Sequence, residues 1–214
     1  MIVARYTIYH SPNAYLGVVL AERALAGLPI TIEPRPIFVP KDRGVKIAEL
    51  VGGAESPAKT SYHREDVIRW ADRFSIPIKL LAPGVFEARA AVWARSPLGR
   101  EELPARAYYA ARDLDPARAL ALDRALFRAA WIESQDVNDP SVISRAAIAA
   151  GLDPSSLLAA AHAPAAGLAA AAALASFDDD ACPGVPCWVT PDGARFWGKD
   201  RLDFLADYVR SLPA

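Results

Sequence analysis

β-type sequence is confined to the two ends of this chain, and that separation restricts the fold more than any single residue does. The opening run IVARYTIYH sets Val3, Arg5 and Thr7 against Ala4, Tyr6 and Ile8, a period of two rich in β-branched and aromatic residues that predicts a strand. It stops at SPNAYL. Here Pro12 suits the first position of a helix and Ser11 its cap, with Tyr15, Val18, Val19 and Leu20 on the apolar side and an end near Gly27. PITIEPRPIFV then alternates again, and its prolines favour an edge strand. A strand, a helix and a strand of this length predict a parallel pair with a right-handed crossover.

Between roughly 63 and 176 the chain is rich in Ala, Leu and Arg at helical spacing. The pairs Asp115-Pro116, Asp139-Pro140 and Asp153-Pro154 each set a capping carboxylate before a proline whose fixed φ suits a first helical turn, and Gly151 closes the second of these helices. β character returns in VPCWVT and ARFWG, a hairpin with Asp192-Gly193 at its tip. KDRLDFLADYVRSL follows as an amphipathic helix, capped by Asp200, with Leu202, Phe204, Leu205 and Val209 inward. The order predicts an α/β chain: a thioredoxin-like fold with a large all-helical insertion between its βαβ and ββα halves. Residues 1–62 and 177–214 form the thioredoxin-like domain and 63–176 the inserted helical one.

Composition narrows the function. Among 214 residues, 24 Lys and Arg stand against 25 Asp and Glu, so no basic excess points to nucleic acid and no acidic tail to a disordered segment. MIVARYTIYH lacks the pattern of a signal peptide, and a cytoplasmic protein is expected. The apolar stretch AAAHAPAAGLAAAAALA is interrupted by His162, Pro164 and Gly167, which favours a packed helix over a membrane span. Cys182 and Cys187, spaced CPGVPC, match neither a redox C-x-x-C nor a zinc pair, and three scattered histidines give no support for a metal.

In such a frame the first strand hands over to the first helix where free N–H groups and the helix dipole stabilise an anion. That place holds Ser11, so the chain has no thiol of its own there. Its hydroxyl could donate to an incoming thiolate and lower that thiol's pKa, or serve purely as a helix cap. Val185-Pro186 at the start of the third strand suggests a cis proline, with the Val185 backbone free to pair with a bound peptide. Asp200 and Arg201 offer an anion and a cation at a helix start, and a γ-glutamyl group carries both complementary charges. No G-x-S-x-G elbow favours a serine hydrolase.

SPNAYL, SPAKTSYHREDVIRWADRFSIPI, FRAAWIESQDVNDP and GVPCWVTPDGARFWGKDRLDFL resemble, in order and spacing, the family of 2-hydroxychromene-2-carboxylate isomerases and kappa-class glutathione transferases. The likeness spans nearly the whole chain. It implies glutathione as cofactor and a homodimer, with Ser11 on the glutathione sulfur, Val185 and Pro186 along the tripeptide backbone, Asp200 and Arg201 at the γ-glutamyl end, and Lys59 in the loop before the inserted helices. Trp131, Glu133 and Asp136 are expected to be structural. Ile8 and Tyr9 stand where the family commonly has Asp-Phe, VGGAES lacks a loop asparagine, and Pro183 replaces an aromatic. The implied reaction is glutathione-dependent isomerisation of an aromatic-degradation intermediate, with Tyr9, His10 and Tyr15 facing the substrate. A kappa-like transferase, a noncatalytic thioredoxin-like binding protein and disulfide exchange through Cys182 and Cys187 are the alternatives.

Overall fold

A four-stranded sheet in the order β2-β1-β3-β4 organises the chain. The computed structural model describes residues 1–41, 57–82 and 84–212. In order these form β1 (Ile2–Thr7), α1 (Pro12–Ala24), β2 (Thr31–Pro36), α2 (Pro57–Phe74), α3 (Val85–Arg95), α4 (Glu102–Leu114), α5 (Pro116–Trp131), α6 (Pro140–Ala149), α7 (Pro154–His162), α8 (Pro164–Asp179), β3 (Cys187–Val189), β4 (Arg195–Trp197) and α9 (Leu202–Ser211). β1 runs parallel to β2 and antiparallel to β3, and β4 returns antiparallel to β3. This is the expected α/β arrangement, with helices inserted between a βαβ half and a ββα half.

β1 is central, which is why Val3, Ala4, Arg5, Tyr6 and Thr7 are all buried rather than alternating. β2 is an edge, and its prolines obey the register. Thr31 N–H donates to the Met1 carbonyl and Ile37 N–H to the Thr7 carbonyl, so odd-numbered residues of β2 face β1. Pro34 and Pro36 fall on the outward positions, where a missing donor breaks no ladder bond. The carbonyl of Pro36 accepts from the Tyr109 hydroxyl of α4 at 3.0 Å.

All three Asp-Pro pairs start helices. Asp115 accepts from the N–H groups of Ala117 and Arg118, Asp139 from Ser141 and Asp153 from Ser156. Gly151 follows α6 at φ +74°, the left-handed stop that a glycine takes without strain. α4 is the hub of the helical block and packs on α5, α7 and α8, while α1 packs on α2 and α9. Ala166, Ala170 and Ala173, spaced to share one side of α8, are its buried face. The boundaries expected at 62/63 and 176/177 fall inside α2 and α8.

The last helix departs from expectation in two ways. Its inner stripe is Leu202, Leu205, Ala206 and Val209, whereas Phe204 lies off that i, i+3, i+4, i+7 spacing and is 63% exposed. The N-cap position belongs to Arg201, with no side-chain cap bond, so Asp200 does not cap α9. Among the described residues no single helix is long and apolar enough to cross a membrane, and α7 meets α8 at a 67° bend.

Candidate active site

The first turn of α1 is built as the sequence implies. Ser11 has extended backbone, its Oγ accepts from the Ala14 N–H at 3.2 Å, and its own N–H donates to the Ile8 carbonyl at 3.1 Å. Ser11 is half-buried, and among the described residues its hydroxyl proton has no acceptor. The Oδ1 atom of Asn13, two residues on, is buried and without a hydrogen-bond partner. An uncommitted donor and an orphaned acceptor at a helix N-terminus are the groups that an incoming polar ligand satisfies.

His10, immediately before Ser11, is tied to a carboxylate that the sequence reading missed. Its backbone N–H donates to Glu101 Oε2 at 3.1 Å and its Nδ1 is bonded to Glu101 Oε1. Glu101 has no exposed surface, sits at the N-cap of α4 in the left-handed region at φ +62°, and donates its N–H to Asn138 Oδ1 at 2.7 Å. A non-glycine residue held there is strained, and such strain collects at functional sites. Burial pushes the His10 pKa below its ordinary value; Arg100 adds to the fall and Glu101 opposes it. The Arg100 guanidinium, brought down to about 10 by burial, lies 4.0 Å over the Trp93 ring.

The Val185-Pro186 bond is cis, as the sequence suggested. Pro186 lies directly against α1: a Cβ on Gly17 would stand 2.9 Å from Pro186 Cγ and 3.8 Å from the Lys199 Cα. Gly17 thus lets the helix, the proline and the approach to α9 meet. Cys187 follows Pro186 and is fully buried; a hydrogen bond from Cys182 pulls its thiol pKa down and drives that of Cys182 up.

Beyond Lys199, α1, α2 and the start of α9 enclose a cavity of about 650 Å³. Arg23, Arg69 and Arg73 supply cations, Trp70 and Phe74 aromatic faces, and Asp66, Asp200 and Asp203 acids. Lys199 is buried and donates to Asp66 Oδ2 at 2.7 Å, with its ammonium 5.1 Å from the Trp70 ring centre. Asp200 and Arg201 are exposed and bonded to each other, Nη1 to Oδ2 at 2.7 Å. Neither Ser11 nor Pro186 lines this cavity. Lys59 is in the first turn of α2, and its side chain, like the segment VGGAES, lies outside the described residues.

Two expected substrate contacts are core residues instead. Tyr9 is fully buried: its hydroxyl donates to Asp123 Oδ1 at 3.2 Å, its ring packs 4.9 Å from Phe127, and its carbonyl accepts from Trp131 Nε1 at 2.6 Å. Tyr15 is 4% exposed, stacked on Trp131, with its hydroxyl given to the Pro77 carbonyl at 2.8 Å. Both turn inward because α5 covers this end of the sheet. Of the three, His10 alone keeps access to the surface. Trp131 and Asp136 are structural: Asp136 Oδ1 accepts from the backbone and side-chain nitrogens of Asn138, and Glu133 pairs with Arg128. Among the described residues no group of three or more His, Cys, Asp and Glu could hold a metal ion.

Solved structures share this fold. A 2-hydroxychromene-2-carboxylate isomerase is 21% identical at TM-score 0.69, the match covering 98% of this chain and 95% of that one. A probable DsbA oxidoreductase from Streptomyces coelicolor is 18% identical at TM-score 0.73, covering 100% and 92%. The cytosolic disulfide reductase DsbM from Pseudomonas aeruginosa, solved with GSH, is 15% identical at TM-score 0.59, covering 99% and 96%. No curated protein sequence matches the chain. The family model for the DSBA-like thioredoxin domain matches residues 3–210, so the chain belongs to the DSBA-like thioredoxin family.

Proposed function

We propose that this protein is a cytoplasmic, homodimeric, glutathione-dependent isomerase acting on an aromatic-degradation intermediate. The observation that carries the reading is the Ser11 hydroxyl, held at the N-terminus of α1 with its proton uncommitted, where the chain supplies no thiol. That arrangement fits a borrowed sulfur anion: Oγ donates to it and the helix dipole favours its charge. Val185 and Pro186 border the tripeptide, Asp200 takes its ammonium, and Arg201 and Lys59 take carboxylates. The mutual Asp200–Arg201 pair is exposed, so opening it costs about 0–1 kcal/mol. When bound, glutathione supplies a thiolate that adds reversibly to a conjugated carbon, leaving a rotatable single bond until the sulfur departs. One neighbour's name, a disulfide reductase solved with GSH, supports the choice of cofactor, and another's, an isomerase, supports the class of reaction.

The test is Ser11→Ala. Removing a hydrogen bond to an anion should raise the pKa of the bound thiol by about one unit, a roughly tenfold loss of thiolate below that pKa, with folding intact. Calorimetry with glutathione, followed by thiolate absorbance of the complex, reads both. An unchanged titration sinks the role of Ser11, and no uptake by the natural protein at millimolar glutathione makes it a noncatalytic scaffold. Glutathione consumed mole for mole with an electrophile would make it a transferase.

A further inference from the structure

His10 is a titratable group that the reading above leaves without a proton to carry. Its Nδ1 and backbone N–H are both held by one fully buried carboxylate, Glu101. Glu101 is fixed by Asn138, whose amide donates to Asp136 Oδ1 at 2.9 Å. A carboxylate on Nδ1 selects the tautomer protonated at Nδ1 and leaves the lone pair on Nε2. Nε2 has no hydrogen-bond partner among the described residues and is not sealed from the surface, the side chain being 16% exposed. The Trp93 ring, 6.0 Å away, covers one side. The charges facing the imidazole are Glu101, Arg100 and Asp136. Burial and Arg100 keep the ring neutral near neutral pH, the form that accepts a proton.

Resting on the glutathione reading, we infer that His10 is the proton acceptor for the thiol brought to Ser11, and that Glu101 is its positioning residue. Nε2 takes the proton of the S–H bond and leaves the bonding pair on sulfur. The result is an imidazolium beside a thiolate, each charge stabilising the other, with Glu101 balancing the ring. His10 gives this proton to the substrate when sulfur adds and recovers it when sulfur leaves, so no proton or electron is consumed.

The experiment titrates thiolate absorbance of bound glutathione in the natural protein, His10→Gln and Glu101→Gln, with circular dichroism to establish folding and calorimetry to establish occupancy. In His10→Gln the thiolate band should fade at least about one pH unit higher, a tenfold loss at a fixed lower pH. In Glu101→Gln the amide donates to Nδ1 and moves the proton to Nε2, so nitrogen-15 spectra should report the opposite tautomer and the band should fade likewise. Should Glu101→Gln fail to fold, His10→Gln and the tautomer of the natural protein decide. Equal titrations in folded, saturated natural protein and His10→Gln overturn the assignment while leaving glutathione binding in place, as does an Nε2–H tautomer in the natural protein. No glutathione uptake by the natural protein removes both readings together.

Discussion

Ser11 and His10 are neighbours in sequence, yet different parts of the chain hold them. Ser11 is placed by local helix geometry, through Ala14, whereas His10 depends on Glu101, 91 residues away. That dependence gives His10 a measurable effect on stability. Its folded pKa lies below the ordinary 6.5, so between the two values the unfolded chain binds more protons than the folded one. Stability from this residue is therefore complete above 6.5 and declines as pH falls toward the folded value. Urea unfolding on either side of that window should show the decline, and His10→Gln should flatten it; an identical slope in the variant would refute the linkage. The contrast also explains what was legible. A serine before a proline at a strand end announces a cap and an anion site from the short stretch SPNAYL. Glu101 gave no such signal, because a buried acid in left-handed backbone depends on distant partners; the stretch Pro97-Leu98-Gly99 ahead of the paired acids Glu101 and Glu102 is at most a local trace of a break before a helix. Tyr9 and Tyr15 misled for the same reason: nearness in sequence to Ser11 says nothing about the helix that later covers them.

At the level of elements, α1 carries both the sulfur corner and the contact with Pro186. Replacing a helix-interior glycine by alanine ordinarily gains about 1 kcal/mol of helix propensity. At Gly17 the new methyl would stand 2.9 Å from a proline ring that cannot rotate aside. Overpacking of this kind costs about 1–3 kcal/mol, so Gly17→Ala should lower the melting temperature and weaken glutathione uptake together. A higher melting temperature would show that the helix and the 185–186 loop are not in register as described. Three helix starts in the inserted block, those of α5, α6 and α7, were readable because the Asp-Pro signal is local. The faces were less so: Phe204 looked inward by composition, and only the packing of α9 on α1 decides that Leu205 and Val209 turn in while Phe204 turns out.

Across the whole molecule the sheet and the inserted helices are joined by charge as well as by apolar contact. Arg5 of the central strand is buried against Asp123 of α5, which also receives the Tyr9 hydroxyl. Removing one member of a buried pair typically costs about 3–5 kcal/mol, because the other charge is stranded. Asp123→Ala should therefore lower the urea midpoint in a single cooperative transition, and a loss under about 1 kcal/mol would mean the joint is hydrated. The chain-wide order of strands and helices was legible because β character clusters at the ends. The Arg5–Asp123 joint was not, since an arginine inside an apolar strand reads as half-exposed until its partner is in place. The outer margin of β2 has one last implication. With imino nitrogens at Pro34 and Pro36 and the Pro36 oxygen already engaged by Tyr109, that rim lacks the regular row of donors that a neighbouring strand would zip onto. Copies of this protein that come together are steered off that border, and a contiguous sheet shared across it is ruled against by two ring-closed residues.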